Sequence, residues 1–421
     1  MRKIVFLIFF ISGCATLDNA NFLPVWSESN SFQDLGTRGD VFGTEKTAKI
    51  GFIEFDDLGF QRDSKAVSNV FKNLSALESS STSSPILMVV FVHGWHHDAR
   101  PDDSNVMAFK AFLQDLQYEE EAQSFSRNKR QVVGVYIGWR GESNESLLNP
   151  LTYRSRKSSG LRVGQYGLQE VLADLNKVVK TGKHKNTNRL VSIGHSFGGG
   201  VLYSSVMQNL VDNVVNASVP QNNRLNLIDK AYGDLVILMN PALEAARLEV
   251  LNRRLSNVEF ARCQPLVMAS FTSEYDTALS EAFPLGQKLF FYDDKKVALK
   301  SDNANLVLTP YGNAPTFKTH ELSCVDCKYG RKNVFLTKQQ FTSATPLWAP
   351  FRNSKNAQFT VGEIKMTHYP GSKIAPGTPI MNVFVKGNNL IRDHNAIWGS
   401  DFSLFVRALI GMEFASERQC R

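Results

Sequence analysis

Short unbroken apolar runs alternate with long helical patterns through most of this chain, and that alternation restricts its fold more than any other feature. Ile86–Val92 has no polar interruption, which suits a strand covered on both faces. Residues 105–118 follow with Val106, Phe109, Phe112, Leu113 and Leu116 at helical spacing. The pattern predicts further strands at 49–55, 132–137, 190–193, 235–239, 266–271 and 381–385. It predicts further helices at 161–179, 201–211, 243–255 and 396–410. Strands joined by helices of this length require a doubly wound, mostly parallel α/β sheet with helices on both faces. Between about 279 and 378 the alternation fails. Turn residues such as Pro310-Tyr311-Gly312-Asn313 crowd in, with short β-like pieces at 305–308 and 333–336. This stretch reads as a large irregular insertion over the sheet's edge or mouth, not as an independent domain.

The strand at 190–193 runs into Gly194-His195-Ser196-Phe197-Gly198, and a helical stretch begins at once. A serine on a tight strand-to-helix turn projects its hydroxyl clear of the sheet, and flanking glycines permit the backbone angles of such a turn. A serine hydroxyl is a weak nucleophile at neutral pH. It needs a base within hydrogen-bond reach and a third group to orient that base, in the chain order serine, acid, histidine. Asp276, in the loop after the strand at 266–271, is the acid of choice, with Glu274 its rival. His394 is the base, because Asp393-His394-Asn395 follows the last strand and is read as opening the last helix. His320 and His368 fall in the irregular stretch, and His184 in a polar turn.

An oxyanion needs preorganised donors. The backbone N–H of Phe197 is one, and that of Trp95, after the strand at 86–92 and His93-Gly94, is the other, with Gly94 as a substitute. His93, His96, His97 and Asp98 are too crowded on one turn to converge on a metal, so no metal is assigned and His93 is expected to brace the loop. Tyr136, Trp139 and Arg140, at a strand end, are expected to help set the pocket's volume.

Together, His93-Gly94-Trp95, Gly194-His195-Ser196-Phe197-Gly198, Asp276 and His394 resemble the α/β-hydrolase superfamily over residues 48–278 and 380–412. The resemblance implies acyl transfer to water through an acyl-enzyme, most often on carboxylic esters, without a cofactor. One departure is the 118-residue separation of Asp276 from His394, from which the insertion is expected to shape or cap the pocket. The motifs do not distinguish an esterase or lipase from a peptidase, amidase or thioesterase. A catalytically idle surface-binding lipoprotein on the same fold stays open as well.

The N-terminus reads as an address. Arg2 and Lys3 precede an apolar core too short to span a bilayer but long enough for a secretory signal. Ile11-Ser12-Gly13-Cys14 resembles the lipobox of bacterial lipoproteins. This implies removal of residues 1–13, acylation of Cys14 and attachment to a membrane of the bacterial cell envelope. Ala15, where Asp would divert sorting, favours the outer membrane. Residues 14–45, rich in Asn, Ser, Asp and Gly, read as a tether to a folded body at 46–412. Of 47 basic side chains two lie in the leader, leaving a small, unclustered excess over 40 acidic ones. That gives no nucleic-acid face, and the expected partners are a membrane and a small-molecule or lipid ester. Cys263, Cys324, Cys327 and Cys420 are even in number, so disulfides are expected in an oxidising envelope. His320, Cys324 and Cys327 lack an evident fourth zinc ligand.

Overall fold

The structure is a computed structural model. It describes residues 31–36, 46–80, 82–121, 129–141, 153–217, 232–256, 260–290, 304–328, 330–331 and 334–416. The leader, Cys14, most of the tether and Cys420 lie outside the described residues.

Eleven strands form one sheet: β1 (Phe32–Asp34), β2 (Lys49–Glu54), β3 (Ile86–Val92), β4 (Gln131–Gly138), β5 (Arg189–His195), β6 (Leu235–Met239), β7 (Met268–Ser273), β8 (His320–Cys324), β9 (Gln358–Val361), β10 (Ile364–His368) and β11 (Ile380–Val385). Their order across the sheet is β1-β2-β4-β3-β5-β6-β7-β11-β8-β10-β9. From β2 to β8 every neighbouring pair is parallel; β1 at one edge and the β9–β10 hairpin at the other add antiparallel pairs. The helices are α1 (Ser64–Ser79), α2 (Ser104–Glu121), α3 (Tyr153–Val163), α4 (Gln169–Thr181), α5 (Phe197–Ala217), α6 (Glu249–Leu255), α7 (Phe283–Phe290), α8 (Ala304–Leu308), α9 (Lys338–Arg352) and α10 (Ser400–Ser416). None of them is long and apolar enough to cross a membrane.

Alternate residues of one strand feed two cores, which is why β3 has no polar position. Leu87, Val89 and Phe91 join the core formed with α2, α9 and α10, while Ile86, Met88, Val90 and Val92 join the core under α1, α4, α5 and α6. The expected mostly parallel α/β sheet with helices on both faces is what the chain forms.

Several local expectations are corrected. Within the stretch read as tether, Phe32–Asp34 pairs with β2, Phe32 opposite Gly51. The helix expected at 161–179 is α3 and α4 joined by a π-turn at Gly164–Leu168. The piece at 305–308 is a helical turn, closed by the Thr309 N–H and hydroxyl on the Asn305 carbonyl. Residues 334–336 form no strand. The strands of the irregular stretch are instead β8, β9 and β10, in which buried residues mostly alternate with less buried ones. The last helix starts at Ser400, because the Asp393 carboxylate accepts from the N–H groups of Asn395 and Ala396 and holds a separate turn there.

Candidate active site

Every strand from β2 to β8 ends at the same edge of the sheet, and the loops at that edge carry Ser196, Asp276 and His394. Ser196 sits between β5 and α5 with φ of 54°, in the left-handed region that L-residues avoid. Its conformation is held by backbone contacts: its N–H donates to Met239 (3.1 Å), and its carbonyl accepts from Ala242 (2.9 Å) and Gly199 (3.0 Å). Glycine is required on both sides of the turn. A Cβ on Gly198 would lie 2.2 Å from the Val92 carbonyl oxygen, and one on Gly194 would lie 2.7 Å from the Gly198 carbonyl oxygen.

His394 follows β11, the strand paired with β7, and Asp276 follows β7. The His394 Nδ1 lies 2.7 Å from Asp276 Oδ2, and its Nε2 lies 2.7 Å from Ser196 Oγ. An ionised carboxylate can only accept, so Nδ1 carries the proton, Nε2 is the acceptor and the serine hydroxyl donates to it. Asp276 is 1% exposed, and its other oxygen accepts from the Leu279 N–H at 2.9 Å. Glu274, the rival acid, points elsewhere: its carboxylate accepts from the Gly387 N–H at 2.9 Å, beside the end of β11.

A second layer fixes the histidine's loop, and the sequence did not reveal it. His195 Nε2–H and Asn240 Nδ2–H both donate to the His394 carbonyl, at 2.9 and 3.0 Å. Asn240 Oδ1 accepts from the Ser273 N–H (2.9 Å), and the Ser273 hydroxyl donates to the Ile391 carbonyl (2.8 Å). Burial pushes the His195 pKa well below its ordinary value, as does the neighbouring His394, so His195 is a neutral donor. An asparagine after an apolar strand looks like any turn residue, and nothing in its neighbours marks this role.

The loop after β3 is fixed from below. His93 Nδ1–H donates to the Gly94 carbonyl at 2.9 Å, and its Nε2 accepts from the Trp139 N–H at 3.1 Å. Burial lowers the His93 pKa to about 4, keeping it neutral. With the Gly94 carbonyl turned to His93, the trans peptide aims the Trp95 N–H the opposite way. Phe197 is the first residue of α5, where backbone N–H groups have no intrahelical acceptor. The rings of Trp95 and Phe197 stack at 5.6 Å, and Tyr153 packs edge-on against both.

Tyr136, Trp139 and Arg140 do not line an open pocket. Tyr136 donates to the Asp98 carbonyl, Trp139 stacks beneath His93 and Arg140 faces Asp57, all three buried. His97 pairs with Asp103 (3.0 Å) and Asp98 with Arg100 (2.7 Å), so the histidine-rich turn diverges. Among the described residues the grouping with metal-like spacing is Cys324, Cys327 and Glu363, but its two sulfurs are joined as a disulfide. Cys263 is a free thiol.

No family model matches the chain, and no curated protein matches it. Among solved structures it is similar to phospholipase PlaB from Legionella pneumophila in complex with thio-NAD, with 12% identity and a TM-score of 0.25. The likeness covers 59% of this chain and 47% of that one, so the chain spans under half the length of its neighbour. A likeness this slight carries no function across, and the chemistry has to be read from this chain's own geometry.

Proposed function

We propose that the chain is a serine hydrolase of the α/β-hydrolase type, cleaving carboxylic esters through an acyl-enzyme while acylated Cys14 holds it to a bacterial membrane, the outer one. The observation that carries this reading is the series of two 2.7 Å hydrogen bonds from Ser196 through His394 to Asp276. Ser196 Oγ attacks the ester carbonyl as His394 Nε2 takes its proton. Asp276 keeps the imidazole in the productive tautomer and stabilises the imidazolium that forms. The N–H groups of Phe197 and Trp95 receive the oxyanion, and the N-terminus of α5 adds its partial positive charge. His394 then protonates the departing alcohol. Water, deprotonated by the same imidazole, releases the acid and restores Ser196. Residues 1–13 are the cleaved leader, most of 14–45 is the tether, and 279–378 is the insertion that shapes the pocket.

Ser196→Ala should abolish hydrolysis of p-nitrophenyl esters and labelling by a fluorophosphonate probe. Retained labelling would remove Ser196 from the role. An ester and an amide matched in acyl group, assayed side by side, identify the bond cleaved.

A further inference from the structure

Two independent features mark the edge of the sheet that carries Ser196. The first is the direction of β1. It runs antiparallel to β2, with Phe32 opposite Gly51, Asp34 opposite Lys49, and the Phe52 N–H donating to the Ser31 carbonyl at 3.0 Å. β1 is therefore entered from the C-terminal end of β2, the same edge at which β5 delivers Ser196. From Cys14 to Ser31 is about 17 residues, a reach of at most roughly 60 Å.

The second is where apolar side chains face water. Nine large ones stand exposed among the described residues, and Leu58, Phe60, Tyr275 and Val325 lie in turns that follow strands at this edge. Leu58 (57% exposed) and Phe60 (65%) crown the turn after β2, which lies three strands, about 14 Å, from β5. Tyr166 joins them, since neighbouring Gly167 packs on the Gly59 carbonyl. Tyr275 follows β7 and Val325 follows β8. Leu285 precedes Gly286, which packs on Tyr153 and so next to Phe197. Leu58, Phe60 and Val325 are held out by stiff turns. Asp56 Oδ1 accepts from the N–H groups of both Leu58 and Phe60 at 2.9 Å, and the Asp56 N–H donates to the Phe60 carbonyl. Asp57, next in line, is clamped by Arg156 at 2.7 and 3.0 Å. Val325 stands on the turn closed by the Cys324–Cys327 disulfide. A rigid turn that presents bare apolar side chains gains nothing from them in water and gains on burial in a lipid headgroup layer.

We infer that this edge is the surface by which the protein docks on the bilayer holding Cys14, so that Ser196 faces that leaflet and takes its ester from a lipid lying in it. The inference rests on the reading of Ser196 and Cys14 given above. The tether enters from the membrane side, Leu58 and Phe60 seat in the headgroup region, and Tyr275 and Val325 complete the rim on the far side of Ser196.

The test uses the chain from Ala15 onward, which keeps every described residue but has no acyl group, with vesicles of phosphatidylethanolamine and phosphatidylglycerol. Sedimentation with the vesicles, hydrolysis of the vesicle phospholipid and hydrolysis of a soluble short-chain ester are read together. L58D/F60D should lower vesicle binding and lipid hydrolysis at least about tenfold and leave the soluble ester within about twofold. Leu347→Asp, at an exposed apolar position on α9, should change none of the three. Vesicle binding unchanged in L58D/F60D, or lowered equally by Leu347→Asp, overturns the inference. So does a dimer without vesicles that L58D/F60D dissolves, which assigns the patch to a second copy. If neither ester is cleaved while L58D/F60D still abolishes vesicle binding, the docking surface stands and the hydrolase reading falls.

Discussion

The elbow at Ser196 and the hairpin turn between β9 and β10 both depend on glycine, yet they are built in opposite ways. At the elbow, three backbone segments crowd together, and a Cβ on Gly198 would meet carbonyl oxygens of Val92 and His93 at 2.2 and 2.3 Å. At the hairpin, Gly362 has φ of 58°, and a Cβ there would meet only the end of the Leu336 side chain, at 3.4 Å. One turn is fixed by backbone packed on backbone, the other only by its own dihedral preference. The geometry of the Ser196 turn is therefore set by the sheet's central strands, while the late edge is a matter of side-chain alternation.

Substitutions should widen or collapse that difference. Gly198→Ala should abolish ester hydrolysis and destabilise the fold by about 3 kcal/mol or more. Gly362→Ala should cost only about 1 kcal/mol and leave the rate intact. Equal losses in thermal melts of the two would erase the distinction. Asp276→Asn should keep the fold and reduce kcat about ten-thousandfold, because an amide in place of the carboxylate favours the wrong imidazole tautomer. Asn240→Ala, which leaves the His394 carbonyl to His195 alone, should lower kcat about tenfold with KM unchanged. A change in KM without kcat would assign Asn240 to substrate binding.

A smaller effect concerns Asp98, in the loop after β3. Burial, with the nearby negative charge of Asp103, raises its pKa to about 6 against an opposing hydrogen bond and charge from Arg100. The folded chain holds this proton where the unfolded chain, with an ordinary value of 3.8, has released it. Its contribution to stability is thus complete below about pH 4 and lost as the pH rises through 6. Asp98→Asn should make the slope of unfolding free energy against pH more positive by up to about 1.4 kcal/mol per unit in that window. Denaturant titrations at pH 4, 5 and 6 measure it.

The same division explains what could be read from the chain. Strands β3 to β7 are covered on both faces, so their mainly apolar runs, unbroken in β3 and β6, announced them, and the serine was marked by glycines that backbone contact demands. His394 was legible by its place after the last strand. β8, β9 and β10 are short and half-exposed, and their alternation in Gln358-Phe359-Thr360-Val361 is too brief to stand out among turns. The capping box of Thr337 and Gln340 that starts α9 was present in the sequence, but Pro346 and Pro350 within the helix obscured it. Asn240 and Ser273 act through ordinary turn positions whose importance exists only once β6, β7 and the His394 loop are side by side.

β11 pairs with β7 on one side and β8 on the other, although β8 precedes it in the chain by more than fifty residues. Ser196 and His394, 198 positions apart, meet only when this last strand slots home. A chain ending before residue 380 would lack the His394 imidazole that lies 2.7 Å from the Ser196 hydroxyl. Long-range parallel pairing of this kind is slow to form, so the contact between Ser196 and His394 is expected among the late ones as the chain folds.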